Sequence, residues 1–237
     1  SLDYAYMASE GGEKAMPMLV VRDRLTKMYA ASFLKAKGIG DPYGTCFLAG
    51  FIRALGYRRL EVMSDGDGEP ALLALVNRTV EAVPEVEFIK RESPVGDHQA
   101  NGEAENAVRE VKRQTRVLKL ATESALGRRL EERDPLLAWL PRHAGDILNR
   151  YRIGEDGKTA DRRRVGREWR RPAVSFGEKV FVKPAWAYRR KQDLQHRMIE
   201  GYYVGHHSRT GTVLILTEHG VIRGTGIRRQ PEGERWS

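Results

Sequence analysis

The sequence predicts a mixed α/β core over residues 1–150, a basic linker over 151–173 and a small all-β barrel over 174–237. Three observations carry this reading. Up to residue 119, runs with strand and helix patterning follow the order three strands, helix, strand, helix, strand, long helix, as in an α/β fold with a mixed sheet. After residue 174 come short β-prone runs, VSFGEKVFVK, MIEGYYVG, TVLILT and VIRGTGIRR, divided by turn residues, and four or five such strands make a small barrel. Charge is also divided unevenly. Residues 1–150 hold 22 basic and 22 acidic residues while 151–237 hold 19 and 10, so the whole net charge of +9 lies in the C-terminal part.

The elements follow in chain order. LDYAYM alternates apolar and polar positions, EGGEKAM supplies a Gly-rich turn, and PMLVVRDRLTKMYAASFLKAKG gives two further β-prone runs broken near Arg22 and Arg24, hence three antiparallel strands. Asp41 and Pro42 signal a helix start; Cys46, Phe47, Leu48, Phe51, Ile52 and Leu55 form its apolar face, and Gly56 ends it. Residues 60–64 read as a strand, SDGDGEP as an acidic turn, 70–83 as an amphipathic helix and 86–90 as a fifth strand. Asn101 is a good N-cap for the long helix, with Glu103 and Glu105 suiting the positive end of its dipole. Residues 134–150 read as a further helix with Pro135 first, kinked or broken at Pro141. GEDGKTADRRRVGREWRRP is polar, Gly-containing and strongly basic, as a linker is.

Composition narrows the function. A chain of 237 residues has room for more than one domain, and its C-terminal excess of cations points to a polyanion, nucleic acid before membrane, since no long apolar span or amphipathic anchor is present. The single cysteine, Cys46, forbids an internal disulfide and a Cys-rich zinc site, and fits a reducing, intracellular setting. No signal peptide is seen, and the chain opens within a strand-like run, as a fragment of something longer would. There is no GxSxG elbow, GxxxxGK[ST] loop or HExxH helix, and the vicinal His206 and His207 read as solvated.

The long helix carries the chemistry. Ala104, Val108, Val111, Thr115 and Leu118 recur at the helical period as a buried stripe. One residue on, Glu105, Arg109, Lys112, Arg116 and Lys119 follow the same spacing, so an acid heads a column of four cations on a solvent face. Such a column suits a metal held over a phosphate backbone. The helix alone is equally served by a surface pair of Glu105 with Arg109, worth about 0.3–0.5 kcal/mol. In the linker, Arg162, Arg163, Arg164, Arg170 and Arg171 around Trp169 suit backbone contact with stacking on bases, or an ordinary solvated connector. Arg223, Arg228 and Arg229 read equally as a solvated basic edge strand.

PVGDHQANGEAENAVREVKR resembles the NGxxE segment of retroviral and retrotransposon integrases, whose Glu completes a catalytic acidic triad. SDGDGE resembles their S/T-D-N-G-x-E motif but carries Asp67 where the Gly belongs, and GKTADRR with SFGEKVFV resembles the copia-type segments leading out of the catalytic core. The resemblance implies a ribonuclease H-like core, an SH3-like barrel and a triad of Asp3, Asp65 and Glu105, with Asp67 the alternative second acid. It further implies two Mg2+ or Mn2+ ions on those carboxylates, and DNA held by Asn101, Arg109, Lys112, Arg116, Lys119 and the linker arginines. The implied reaction joins 3′-hydroxyl ends of element DNA to target double-stranded DNA in the nucleus, by a self-associating protein. A decayed or co-opted nucleic-acid-binding derivative and a purely hydrolytic nuclease of the same fold are the alternatives.

Overall fold

Alternation in the first strands gives a sheet with two apolar faces, and both are covered. The computed structural model describes residues 1–8, 15–64, 69–92, 98–171, 173–184 and 197–236. Strands β1 (Leu2–Met7), β2 (Met16–Arg22) and β3 (Tyr29–Phe33) form an antiparallel sheet in the order β1-β2-β3. Tyr4, Leu19 and Val21 face one side, where they pack with α1 (Pro42–Leu55) and α2 (Pro70–Ala82). Ala5, Met18, Val20 and Ala31 face the other, against Ala107 and Val111 of α3 (His98–Leu126) and Leu148 of α4 (Leu140–Tyr151). The period of two in the strands thus sets a helix–sheet–helix sandwich.

Helix α1 is defined at both ends by its own residues. The Asp41 carboxylate accepts from the Tyr43 N–H at 3.0 Å, Pro42 sits in the first turn, and Gly56 closes the helix at φ 75°. Strands β4 (Arg59–Ser64) and β5 (Glu87–Glu92) pair in parallel. A single mixed sheet was the expectation, but among the described residues β4 and β5 form a separate two-stranded sheet. Leu2, Leu60 and Phe88 instead pack on the shared cluster around α1 and α2, so side-chain burial joins the sheets where no ladder does. A cleft of about 550 Å³, lined by Leu2, Val21, Phe51, Leu60, Leu72 and Phe88, lies between them.

Two helix starts differ from expectation. Helix α3 begins at His98, so Asn101 lies in its first turn and is not the N-cap. An N-cap preference is worth about 1 kcal/mol, which nothing helix-breaking in His98, Gln99 and Ala100 opposes. Residues 134–139 make a turn and a short 3-10 segment in which the Asp134 carboxylate accepts from the Leu136 N–H at 2.9 Å. Helix α4 then starts at Leu140, placing Pro141 in its first turn, where its missing N–H needs no partner; Pro141 therefore neither kinks nor breaks it.

The expected linker contains helix α5 (Ala160–Val165), capped by Thr159 and by Gly166 in the left-handed region. Ala160 is buried in the same cluster as α1, which fixes α5 to the core. Beyond it, β6 (Lys179–Pro184), β7 (Ile199–His206), β8 (Val213–Thr217) and β9 (Gly220–Arg229) close a four-stranded barrel. Val180, Val182, Val213 and Ile215 fill its interior. Strand β9 pairs with both β6 and β8, so it is not an edge strand, and Arg229 binds the fully buried Glu178 carboxylate through two bonds of 2.6 and 2.8 Å. On the barrel's outside, Val204 and Leu214 join Leu136, Leu137, Leu140 and Phe176 in a seam with the core.

That seam should dominate stability. Leu140 is 0% exposed at its centre, and Leu140→Ala should lower the unfolding free energy by about 2–5 kcal/mol in a urea titration. Leu120→Ala, at a side chain 66% exposed on α3, should change it by no more than about 0.5 kcal/mol.

Candidate active site and nucleic-acid interface

Asp3 sits on β1 opposite Val20, and Val20 packs toward α3, so cross-strand geometry turns the Asp3 side chain to the face that α3 covers. Its Oδ1 accepts from the Tyr4 N–H at 2.7 Å. Burial raises the Asp3 carboxyl above its ordinary 3.8; the Tyr4 N–H opposes this, Glu69 adds to it, Lys37 opposes it and Glu105 adds to it. Two acids therefore act on Asp3 from different elements, Glu69 from the start of α2 and Glu105 from the first turns of α3. Glu105 is exposed.

Asp65 and Asp67 lie outside the described residues, between β4 and α2 in the sequence. Among the described residues, no group of three His, Cys, Asp or Glu side chains is placed to hold a metal ion. The described part of the expected triad is Asp3 with Glu105. All-oxygen carboxylate donors, of which Asp3 is held above its ordinary value by burial first and by like charge after it, match a hard divalent cation such as Mg2+ or Mn2+.

Helix α3 presents the expected two faces. Of the expected stripe, Val111 and Thr115 are buried and Ala104, Val108 and Leu118 half-buried, with Ala107 and Thr122 buried beside them, while Glu105, Arg109, Arg113 and Arg116 are exposed and Lys112 is half-buried. Arg109 donates to Asn106 Oδ1 at 3.1 Å, and among the described residues no ion pair joins it to Glu105. Lys119 turns along the helix to Glu123 at 2.7 Å, and Glu123 also accepts the Leu130 N–H, so Lys119 serves the helix end. Asn101 lies in the first turn, and its side chain is outside the described set. The open part of the predicted column is Arg109, Lys112 and Arg116, with Arg113 an exposed neighbour that the column's spacing left out.

Several linker cations are committed inside the protein. Arg163 binds Asp156 with two guanidinium nitrogens. Arg164, with its side chain 15% exposed, bonds Asp161 at 3.0 Å and reaches the Ala54 and Ser208 carbonyls. Arg162 pairs with Glu168 at 2.9 Å, and Arg171 donates to the Gly211 carbonyl. Arg170 remains exposed. Trp169, expected to stack on bases, packs instead under the Arg150 guanidinium, 4.0 Å from the ring centre, with Arg171 5.6 Å away and His206 edge-on at 4.9 Å.

His206 is thus buried at 4% exposure, not solvated. Its Nδ1 accepts from the Tyr203 hydroxyl at 2.7 Å and from Arg150 at 3.4 Å, which places the proton of the neutral ring on Nε2. Arg150 also bonds Asp146 at 3.2 Å. His143, 2% exposed, packs at a tilt on Phe176 and edge-on against Tyr203, and among the described residues its Nδ1 has no hydrogen-bond partner. Sequence spacing carried no signal for this group: its members come from α4, the linker and β7, and only closure of the barrel on the core assembles it.

No family model and no curated protein matches the chain. Among solved structures, it is similar to a chain of the simian T-cell lymphotropic virus intasome in complex with PP2A regulatory subunit B56 gamma, at 13% identity and a TM-score of 0.48, covering 97% of this chain and 77% of that one. It is also similar to the HTLV-2 integrase catalytic core domain in complex with magnesium (15% identity, TM-score 0.46, 69% of this chain and 93% of that one). The catalytic core domain of BIV integrase follows at 17% identity and a TM-score of 0.43, over 70% and 93% of the two chains. With every one of these scores below 0.5, the assignments rest on this chain's own residues.

The seam has a pH signature. Burial first, then the nearby Arg150, lowers His143 to about 3, and the same two causes with Arg171 and His143 lower His206 to about 3, from an ordinary 6.5. The unfolded chain therefore binds these protons at higher pH than the folded one. Stability from the neutral rings is complete above 6.5 and is lost as pH falls from there toward about 3. In urea titrations across that window, the midpoint of His143→Leu should fall less steeply than that of the unsubstituted protein.

Proposed function

We propose that this chain is a retrotransposon-type integrase, a DDE polynucleotidyl transferase that joins 3′-hydroxyl ends of element DNA to target DNA. The observation that carries it is that Glu105 on α3 acts electrostatically on the half-buried Asp3 of β1, beside an open basic helix face. Asp65, with Asp67 as the alternative, would supply the second acid; both follow β4 in the sequence. Two divalent ions bound to these carboxylates would activate the attacking oxygen and stabilise the leaving one in an in-line displacement. The residues themselves hold negative charge at one point, so that no side-chain nucleophile is required. Arg109, Lys112 and Arg116 then lie along a DNA backbone that reaches the acids. In this reading the core is ribonuclease H-like, the barrel SH3-like, and the protein acts in the nucleus as a homo-oligomer.

Purified protein with labelled duplex ends and Mg2+ or Mn2+ tests the reading. Joined products are expected, and Glu105→Gln should abolish them while leaving duplex binding nearly intact. Hydrolysis without joining would assign the chain to nucleases of this fold, and binding without either reaction would make it a non-catalytic DNA-binding protein. For the helix face, Arg116→Ala should weaken binding to all duplex sequences similarly and reduce the slope of log affinity against log salt by about one. A loss confined to one sequence would remove Arg116 from the backbone-contact role.

A further inference from the structure

Where the barrel meets α4, cations gather from both sides of the seam. Gly205, Leu214 and Arg223 stand opposite one another on β7, β8 and β9. Directly paired residues share a face of a sheet. Leu214 is buried in the seam with the core, and Ile222, the neighbour of Arg223, packs into the barrel interior, so Arg223 points outward at the rim of the seam. There it is exposed. The core supplies the facing side: Trp139 packs on the seam cluster, and the half-buried Arg142 of α4 lies over its ring at 5.2 Å.

The turn between β7 and β8 completes the group. His207 donates its N–H to the Thr212 carbonyl at 2.8 Å, and the Gly211 N–H donates to the His207 carbonyl at 2.7 Å. Arg171 binds the Gly211 carbonyl and Arg164 reaches that of Ser208 at 3.5 Å, so linker arginines hold the turn that displays the exposed Arg209. Burial first, then Arg223, Arg142 and Arg209, holds the His207 ring below its ordinary 6.5, with Asp146 opposing them. Three guanidinium groups from α4, a barrel turn and β9 thus act on one half-buried ring. Arg150, Arg163, Arg164 and Arg229 each have an acid, but among the described residues Arg142, Arg209 and Arg223 form no ion pair. Like charges so placed repel one another, and an anion would relieve that repulsion.

The layout of the cations selects the anion. A site for one small anion converges on a point, commonly with backbone N–H groups around it. Here two of the three arginines stand on the open surface, on separate elements. A run of phosphates suits that layout, because each cation can replace one condensed counterion without converging on the others. Trp139 is half-buried under Arg142, so its ring serves the seam and is not presented to a base. We infer that Arg142, Arg209 and Arg223 form a second nucleic-acid contact, which holds one stretch of duplex backbone from the core and the barrel at once. The contact deepens the proposed function and rests on its DNA-binding part, not on the acids.

The test is duplex binding by the full chain across a salt series without divalent metal. Arg142→Gln, Arg209→Gln and Arg223→Gln should each reduce the slope of log affinity against log salt by about one, and the triple variant by about three. Arg78→Gln removes an equal charge from α2, on the sheet face opposite α4, and should leave the slope unchanged. Unchanged slopes for the three, or an equal reduction from Arg78→Gln, would overturn the contact. A reduction for Arg209 and Arg223 without one for Arg142 would overturn the bridging of core and barrel. Should Arg142→Gln not fold, phenylglyoxal modification of the unsubstituted protein decides the core side: protection of Arg142 by duplex supports the contact, and equal modification overturns it. Inorganic phosphate at constant ionic strength separates the other source of the same chemistry. A saturable rise in thermal midpoint that the triple variant abolishes would assign the patch to a small anion and overturn the backbone contact; no rise supports it. Strand joining separates the two levels. If joining fails while the slopes fall as expected, the enzymatic reading is lost and the contact stands; if joining occurs and the slopes do not change, only the contact fails.

Discussion

Burial of both faces of the three-stranded sheet is the constraint on which the rest of the structure depends. Because residues alternate sides along β1 and β2, Tyr4 and Leu19 must meet α1 and α2, and Ala5, Met18 and Val20 must meet α3 and α4. Asp3 lies on the second of these faces, at the strand end where apolar cover runs out. Ala107 and Val111 seat α3 on the sheet, and the helical period then leaves Glu105 within electrostatic range of Asp3 and the arginines outward. One hydrophobic contact between a strand face and a helix stripe thus sets both the electrostatic link of Glu105 to Asp3 and the direction of the cations.

Net charge overstates how many cations are open to a partner. The C-terminal part carries nine more basic than acidic residues. Arg163 and Arg164 hold α5 to the core, however, Arg171 and the neighbouring Arg150 hold Trp169, and Arg229 neutralises a carboxylate with no exposure. Removing any of these takes a partner from an acid, a carbonyl or an aromatic face, so their loss acts through stability as well as through charge. Among the described residues, the exposed arginines of α3 show no such internal duty beyond the Arg109 bond to Asn106. Core and barrel also share a cluster through Leu140, Val204 and Leu214, so the two parts are mechanically one object at the seam.

Features set by neighbouring residues were legible in the sequence. The Asp41 cap, Pro42 and Gly56 bound α1 as expected, the stripe through Val111 and Thr115 is buried, and the turn at His219 and Gly220 joins two barrel strands. Features set by distant pairing were not. Nothing local distinguishes His206, buried against Tyr203, from His207 beside it, and nothing in a run of arginines tells which have acids waiting on other elements. The separation of β4 and β5 from the first sheet is of the same kind, since an apolar strand edge satisfied by side-chain packing reads like one satisfied by a ladder. Lys37 and Glu69, 32 residues apart, meet only because the segment after β3 and the start of α2 fold onto Tyr4.

At the candidate site, local and global preferences disagree in a directed way. A carboxylate in Asp3's position gains a hydrogen bond from Tyr4 but is penalised by burial and by two like charges, and an apolar residue would suit the strand better. Elsewhere the protein answers such conflicts with a partner: Glu178 has Arg229, Asp41 has two backbone N–H groups, and Glu69 has Lys37. Asp3 has its neighbouring N–H and, at electrostatic range, one cation against two acids. The compensating charge is therefore incomplete within the described residues, and a divalent cation would supply the remainder from outside. That mismatch is what the proposed metal site would use, since a hard cation on carboxylate oxygens would bring the charge that the described residues around Asp3 do not balance.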